Sequence, residues 1–350
     1  MILVTGTQRR GAEVVAENLA ASLAQTGWRA DLVALRDSGS VATIQATPLV
    51  DRSHKLNGLR PGVVRKLRRL IRTKAPDVVL AGGGATLKYS VSALLGFRRP
   101  PKLVYASIGE PKYWARSPSS RRLLSWLLSR TNHVSAVSHA TARQLVDDFG
   151  VPEDKVSVVH PGIPESMIDQ SPREPSERLR VLYLGSISAE KNPLAALDAV
   201  KRCAFPVSLR FVGDGPSMAE LARRSTGMDN VELVGAVADV KPHLLWAEAL
   251  ILTSATEGLP GVILEAAAHG LPVVSYDVGG VREAVEDGIT GFVVPHGDVQ
   301  SVAERLDLLA GDAGLRRRMG AAGREKVLSE FGQAESVSRS RAVLASVVGR

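Results

Sequence analysis

Residues 256–272 read TEGLPGVILEAAAHGLP, with Glu257 and Glu265 eight positions apart. Glu257 stands before a Gly-Leu-Pro turn. Glu265 falls inside a short helical pattern among Val262, Ile263, Leu264, Ala266 and Ala267. An ionised carboxylate accepts hydrogen bonds from two adjacent hydroxyls, as on a ribose or a hexose. Pro260 suits a first helical position. A helix starting there carries Gly261, Val262 and Glu265 toward one side, because residues three and four apart are neighbours. Gly261 has no side chain, so a ligand could lie against the backbone beneath Glu265. Glu257 would stand just outside the helix start, beside unpaired N–H groups. The same residues also fit a plain structural role, with Glu257 capping the helix and Glu265 turned to solvent.

A third chemical group lies far away in sequence. LGSISAEKNP, residues 184–193, joins an apolar strand pattern to a helix, and Lys191 precedes Pro193. A lysine there reaches a diphosphate as a point charge, though a loop lysine alone is usually just solvated. The N-terminal TGTQRRGAE is a similar strand-to-helix loop. Backbone N–H groups at a helix N-terminus favour an anion, and Arg9 and Arg10 strengthen that reading over a simple tight turn. The dinucleotide fingerprint G-x-G-x-x-G is absent there, and no D-x-D occurs anywhere in the chain.

These loops need a scaffold. In the first half ILVTG, DLVAL, PDVVLAGGG, PKLVYAS, HVSAVS and KVSVVHPG are strand-like, with helical spacing between them, as in AEVVAENLAASLAQTG. IPESMIDQSPREPSERL is rich in Pro, Ser and charge and reads as a linker. RVLYLGS, VSLRFVGDG, VELVG, ALILTS, PVVSYDVGG and GFVVP then alternate with helices at 193–202, 217–225, 239–246, 260–269 and 281–285. From about 299 the chain is helical. Apolar strands separated by helices predict parallel sheets covered on both faces. The expected architecture is two Rossmann-like halves in tandem, with ligands at the carboxyl ends of the strands and a cleft between the halves.

The bulk numbers agree. The 350 residues suggest about two domains, and 45% hydrophobic with 23% charged residues is a globular profile. No apolar run is long enough to span a membrane, and MILVTGTQRRG does not read as a signal peptide. A single cysteine, Cys203, favours a reduced, cytoplasmic setting. Residues 1–172 hold 24 Lys and Arg against 13 Asp and Glu, a net +11, whereas residues 173–350 are net −3. The first half should therefore meet an anionic partner.

The longer motifs resemble a known family. TSATEGLPGVILEAAAHGLPVVSYDVGGVREAVEDGITGFVV resembles the signature of the retaining glycosyltransferases of family 4, also called glycosyltransferase group 1, whose E-x(7)-E motif falls on Glu257 and Glu265. RRGAEVVAENLAASLAQTGW resembles the family's first loop and helix. VSAVSHATARQLVDDFGVPEDKVSVVHPGI resembles the end of its N-terminal domain. LYLGSISAEKNPLAALDAV, LRFVGDGP and VELVGAV resemble successive donor-domain segments.

The resemblance implies a GT-B α/β fold, two Rossmann-like domains facing across a cleft. It implies an acceptor domain at 1–170, a nucleotide-sugar domain at 171–332, and a final helix, 333–350, returning to the first. Glu265 would bind ribose hydroxyls. Glu257, with Gly258, Leu259, Pro260 and Gly261, would hold the donor sugar. Lys191 would neutralise the diphosphate, and Gly11 would let the first helix point at it. Transfer would retain configuration by a front-side mechanism, with no protein nucleophile and no metal or other cofactor. The donor would be a UDP-, GDP- or ADP-linked sugar. The acceptor would be a glycan or lipid-linked intermediate of polysaccharide or glycolipid biosynthesis. A GT-B nucleotide-sugar epimerase or hydrolase, or a catalytically silent sugar-nucleotide-binding protein, would use the same residues.

Two positions depart from the family pattern. Ser186, counted with the donor-binding residues, stands where an arginine is frequent, so one diphosphate contact is either weakened or supplied by another residue such as the acceptor-side Arg9 or Arg10. VYASIGEPKYW lacks the histidine common near the acceptor, so Ser107, Glu110 or the backbone would have to substitute. His160 stands in HPGI where an asparagine is usual, and is given a structural role. The remaining basic stretches are PGVVRKLRRLIRTKAP, with apolar residues at 63, 64, 67, 70 and 71, and RRLLSWLLSR. Each reads either as a core helix with solvated arginines or as a peripheral contact with anionic lipid at the inner face of the cell membrane. Nucleic acid is not expected, since only 4% of residues are aromatic.

Overall fold

A computed structural model describes residues 1–8, 11–39, 43–53, 58–169 and 176–349. The chain divides into two units, Met1–Gly162 with Ala334–Arg350, and Ile163–Gln333.

The first unit holds a seven-stranded sheet. Its strands are β1 Ile2–Gly6, β2 Leu32–Arg36, β3 Thr47–Pro48, β4 Val78–Gly82, β5 Lys102–Ser107, β6 His133–Ala136 and β7 Val156–Val158, in the order β3-β2-β1-β4-β5-β6-β7. All pairings are parallel. The second unit holds a six-stranded parallel sheet. Its strands are β8 Leu179–Leu184, β9 Val207–Val212, β10 Val231–Gly235, β11 Ala249–Leu252, β12 Val273–Tyr276 and β13 Gly291–Val294, in the order β10-β9-β8-β11-β12-β13. Continuous apolar runs such as Ala249–Leu252 are buried throughout, because helices cover both faces of a parallel sheet. In each sheet the chain builds outward in one direction, then returns and builds the other way. The reversal lies between β1 and β4 in the first unit and between β8 and β11 in the second.

β3 was not expected. It is two residues long, sits at a sheet edge and carries Pro48, which lacks the N–H a central strand needs. The helix Gln333–Val348 packs on the first sheet, with Leu344 buried against Ile2, Val78, Leu80 and Val104. Within the stretch read as a linker, residues 163–169 belong to the second unit. Ile163 N–H donates to Phe331 O, and Asp169 pairs with Lys241 at 3.2 Å. Residues 170–175 lie outside the described residues.

The basic helix at 61–76 is the helix Pro61–Lys74, and its apolar stripe faces inward. Val63, Leu67 and Ile71 are buried in the main core of the first unit, with Val64 and Leu70 packed against it. That corrects the lipid-contact reading for this helix: its apolar face is not available. Arg65, Lys66, Arg69 and Arg72 remain exposed.

Candidate active site

The loops after β8 and β11 leave adjacent strands at the sheet reversal, the place where open α/β sheets bind ligands. They bring together two residues 66 positions apart. Lys191 Nζ donates to Glu257 Oε1 at 2.7 Å. The Glu257 side chain is only 8% exposed and that of Lys191 28%. A carboxylate that deep is tolerated only with a charged partner.

The loop carrying Lys191 is held by its backbone. Asn192 takes a left-handed conformation (φ 48°, ψ 55°) just before the helix Pro193–Val200. Its carbonyl accepts from Thr253 Oγ1 at 2.8 Å. The buried Tyr183 hydroxyl donates to the carbonyls of Ser186 (3.2 Å) and Lys191 (3.1 Å). Burial, and next the charge of Glu257, push the Tyr183 hydroxyl pKa upward, so it stays a donor. Ala255 N–H donates to Glu190 O at 2.8 Å, stitching the two loops together.

The loop after β9 packs beneath. Gly213 has φ 139°, and a Cβ there would lie 1.8 Å from Gly185 O. Gly213→Ala is therefore expected to cost roughly 2–4 kcal/mol, from backbone strain plus an atomic clash. A urea midpoint unchanged from wild type would refute this close packing.

Glu265 lies on the helix Gly261–Ala268, one turn after Gly261. Its carboxyl makes no ion pair or side-chain hydrogen bond among the described residues, and burial pushes its pKa up to about 7. A Cβ built on Gly261 meets nothing within 4 Å. The space beside Gly261 is thus open, and no internal contact requires a glycine there. Pro260 is the residue before the helix (φ −74°, ψ 108°) rather than its first residue, and among the described residues the Glu257 carboxylate bonds to Lys191 and not to a backbone N–H of the helix start. The simple capping role for Glu257 is thereby removed. Leu259 is buried, and Gly258 O accepts from Gly280 N–H at 2.9 Å, which fixes the turn between the two glutamates.

Ser186 is exposed at the mouth of the first loop, its hydroxyl 3.5 Å from Asp214 O. Glu190 was not anticipated. Burial raises its carboxyl pKa, Lys191 opposes that and Glu257 adds to it, so all three charges share one region. The Glu-Lys pair in SAEKNP was the only trace of it in the sequence.

The remaining predicted residues belong to the first unit. Gly11 opens the helix Gly11–Gln25, is exposed, and has nothing within 4 Å of a Cβ position. Arg9 and Arg10 lie outside the described residues. Ser107 ends β5 fully buried, its hydroxyl 3.5 Å from Gly109 O. Glu110 precedes the single turn Pro111–Trp114. The His160 carbonyl accepts from Ser336 Oγ at 2.6 Å, tying the last helix to the end of the first sheet.

Known proteins resemble this chain in sequence and in fold. The family described as Glycosyltransferase Family 4 matches residues 9–166, and that described as Glycosyl transferases group 1 matches residues 178–312. A GDP-mannose-dependent alpha-(1-6)-phosphatidylinositol monomannoside mannosyltransferase of Mycobacterium tuberculosis is 28% identical over 299 residues, 77% of this chain and 76% of that protein. Glycogen synthase of the same organism is 27% identical over 288 residues, 78% of this chain and 69% of that protein. Anabaena Alr3699/HepE, solved in complex with UDP and glucose, superposes with a TM-score of 0.83 at 20% identity, covering 99% of this chain and 98% of that one. With both units matched in chain order, and with two parallel sheets reversing at the loops described, the chain belongs to the family 4, or group 1, glycosyltransferases and has the GT-B fold.

Proposed function

We propose that this glycosyltransferase moves a hexose from a nucleoside-diphosphate sugar to a lipid-linked or cell-envelope glycan acceptor, with retained configuration and without a metal ion. The Lys191–Glu257 pair at the β8/β11 reversal carries the reading. Lys191 supplies the positive charge for the diphosphate as the leaving group gains charge. Glu257, released by that exchange, takes hydroxyls of the donor sugar. Glu265 takes the two ribose hydroxyls, with the ring lying in the open space at Gly261. The relatives support a nucleotide sugar: the mycobacterial mannosyltransferase is named for GDP-mannose and a phosphatidylinositol mannoside, and the Anabaena protein was solved with UDP.

The chemistry needs no protein nucleophile. The bond from the anomeric carbon to the diphosphate oxygen breaks. The acceptor hydroxyl oxygen bonds to the same face of that carbon, and its proton passes to the departing phosphate oxygen. Positioning and charge stabilisation are the protein's contribution.

A thermal-shift panel of UDP-, GDP- and ADP-hexoses tests the site. One nucleotide class should raise the melting temperature by several degrees, because a ligand bound only by the folded state stabilises it. Gly261→Leu should abolish that shift while leaving the free protein at least as stable, since leucine is roughly 0.8 kcal/mol better than glycine in a helix. A retained shift in Gly261→Leu would place the nucleotide elsewhere. Nucleoside diphosphate release that is equally fast with and without acceptor would instead mark a hydrolase or epimerase.

A further inference from the structure

The second basic stretch differs from the first in what it leaves outside. The helix Pro118–Leu128 turns Leu127 and Leu128 into the core of the first unit, with Leu124 packed against it. Ser119, Arg122, Leu123 and Trp126 are exposed, at the three- and four-residue spacing of one helix face. Leu123 is 51% exposed and Trp126 41%. Arg130, just past the helix end, lies 5.1 Å over the Trp126 ring. The preceding turn adds Trp114, 62% exposed, and Arg116. Lys112 and Arg121 both pair with the single carboxylate of Asp148. Arg116, Arg122 and Arg130 pair with no carboxylate among the described residues.

We infer that the segment after β5, centred on the outer face of the helix Pro118–Leu128, is a docking surface for an anionic lipid bilayer. Tryptophan prefers the membrane–water boundary, where its ring is apolar and its N–H stays wet. Guanidinium groups beside it meet lipid phosphates, which supply the missing counter-charge. Leucine between them gains from leaving water. The helix Pro61–Lys74 turns Arg65, Lys66, Arg69 and Arg72 outward and keeps its own valines, leucines and isoleucine inward; the exposed Leu59 and Leu95 beside it come with no exposed aromatic ring among the described residues. No described helix is long and apolar enough to cross a membrane, so attachment here is at the surface. The inference goes beyond the donor-site reading and does not depend on it.

Sedimentation of the full-length protein with vesicles reads the surface without donor or acceptor. Vesicles of phosphatidylcholine with phosphatidylglycerol should pull the protein down, those of phosphatidylcholine alone should not, and added salt should weaken the binding. The double variant Leu123→Ser/Trp126→Ser should lose about tenfold or more in vesicle affinity, with melting temperature and nucleoside diphosphate binding unchanged. Arg65→Gln/Arg69→Gln should lose less than about threefold, because those charges lie on the other helix. No sedimentation with phosphatidylglycerol at low salt overturns the assignment. Wild-type affinity in the Leu123→Ser/Trp126→Ser variant also overturns it, as does a larger loss in the Arg65→Gln/Arg69→Gln variant.

Discussion

Lys191→Ala is expected to slow sugar transfer by about two to three orders of magnitude, and Glu257→Gln to slow it comparably while tightening nucleoside diphosphate binding. The opposite effects on binding follow from the 2.7 Å contact between the two side chains. In the free site Glu257 occupies the ammonium that a diphosphate needs. On the proposed function, donor binding would be an exchange in which phosphate oxygens replace the carboxylate around Lys191 and the carboxylate turns to the sugar. Removing the carboxylate charge leaves Lys191 ready, so the diphosphate no longer has to displace a competitor. Removing the lysine leaves a carboxylate with 8% exposure unpaired, which costs about 1–3 kcal/mol of stability at this partly solvated site. The double variant Lys191→Ala/Glu257→Gln should recover most of that stability and none of the activity. Calorimetric titration with UDP and GDP, beside urea unfolding, separates the two effects. If Glu257→Gln weakened nucleoside diphosphate binding as Lys191→Ala does, the pair would be a structural clamp rather than an exchange site.

The alternation of apolar runs and helices was legible because both sheets are parallel and buried. Each strand therefore shows as a continuous apolar stretch, as in ALIL at 249–252. Thr47–Pro48 was not legible, since two edge residues with one proline carry no such pattern. Lys191, Glu257 and Glu265 could be named from their motifs, but the meeting of Lys191 with Glu257 could not. Lys191 meets Glu257 only because β8 and β11 are neighbours at the sheet reversal, and a meeting of residues 66 positions apart is a tertiary fact. Glu190 was missed for the same reason: its burial and its proximity to Glu257 come from the second loop folding over the first. The two basic helices show the limit of periodicity. Both have an apolar stripe, yet one stripe is fully used by the core, while the other helix has Leu123 and Trp126 left over on its outer face.

Glu265→Gln is expected to make the free protein more stable and the enzyme worse. Burial raises the Glu265 carboxyl from 4.5 to about 7. The folded protein therefore holds a proton there that the unfolded chain has lost between pH 4.5 and 7. Stability falls with rising pH wherever the folded state binds more protons. The penalty is thus absent below the unfolded value, grows through that window and is complete above pH 7. Its full size is about 3–4 kcal/mol at 1.36 kcal/mol per pKa unit, and the carboxyl's partial exposure lowers that toward about 2 kcal/mol. Glutamine carries no charge, so urea unfolding should show Glu265→Gln more stable than wild type by about 2 kcal/mol at pH 8 and nearly equal to it at pH 4.5. A stability difference that does not change with pH would mean that the carboxyl is not held at this cost. Binding should run the other way. Only the ionised carboxylate accepts from both ribose hydroxyls, so nucleotide binding should release a proton near pH 7 in wild type, visible as a buffer-dependent heat, and Glu265→Gln should lose both that heat and most of the affinity. A helix that otherwise buries Ile263, Leu264, Ala266 and Ala267 thus carries a charge that weakens the free fold, and the hydroxyls of the donor are what would satisfy it.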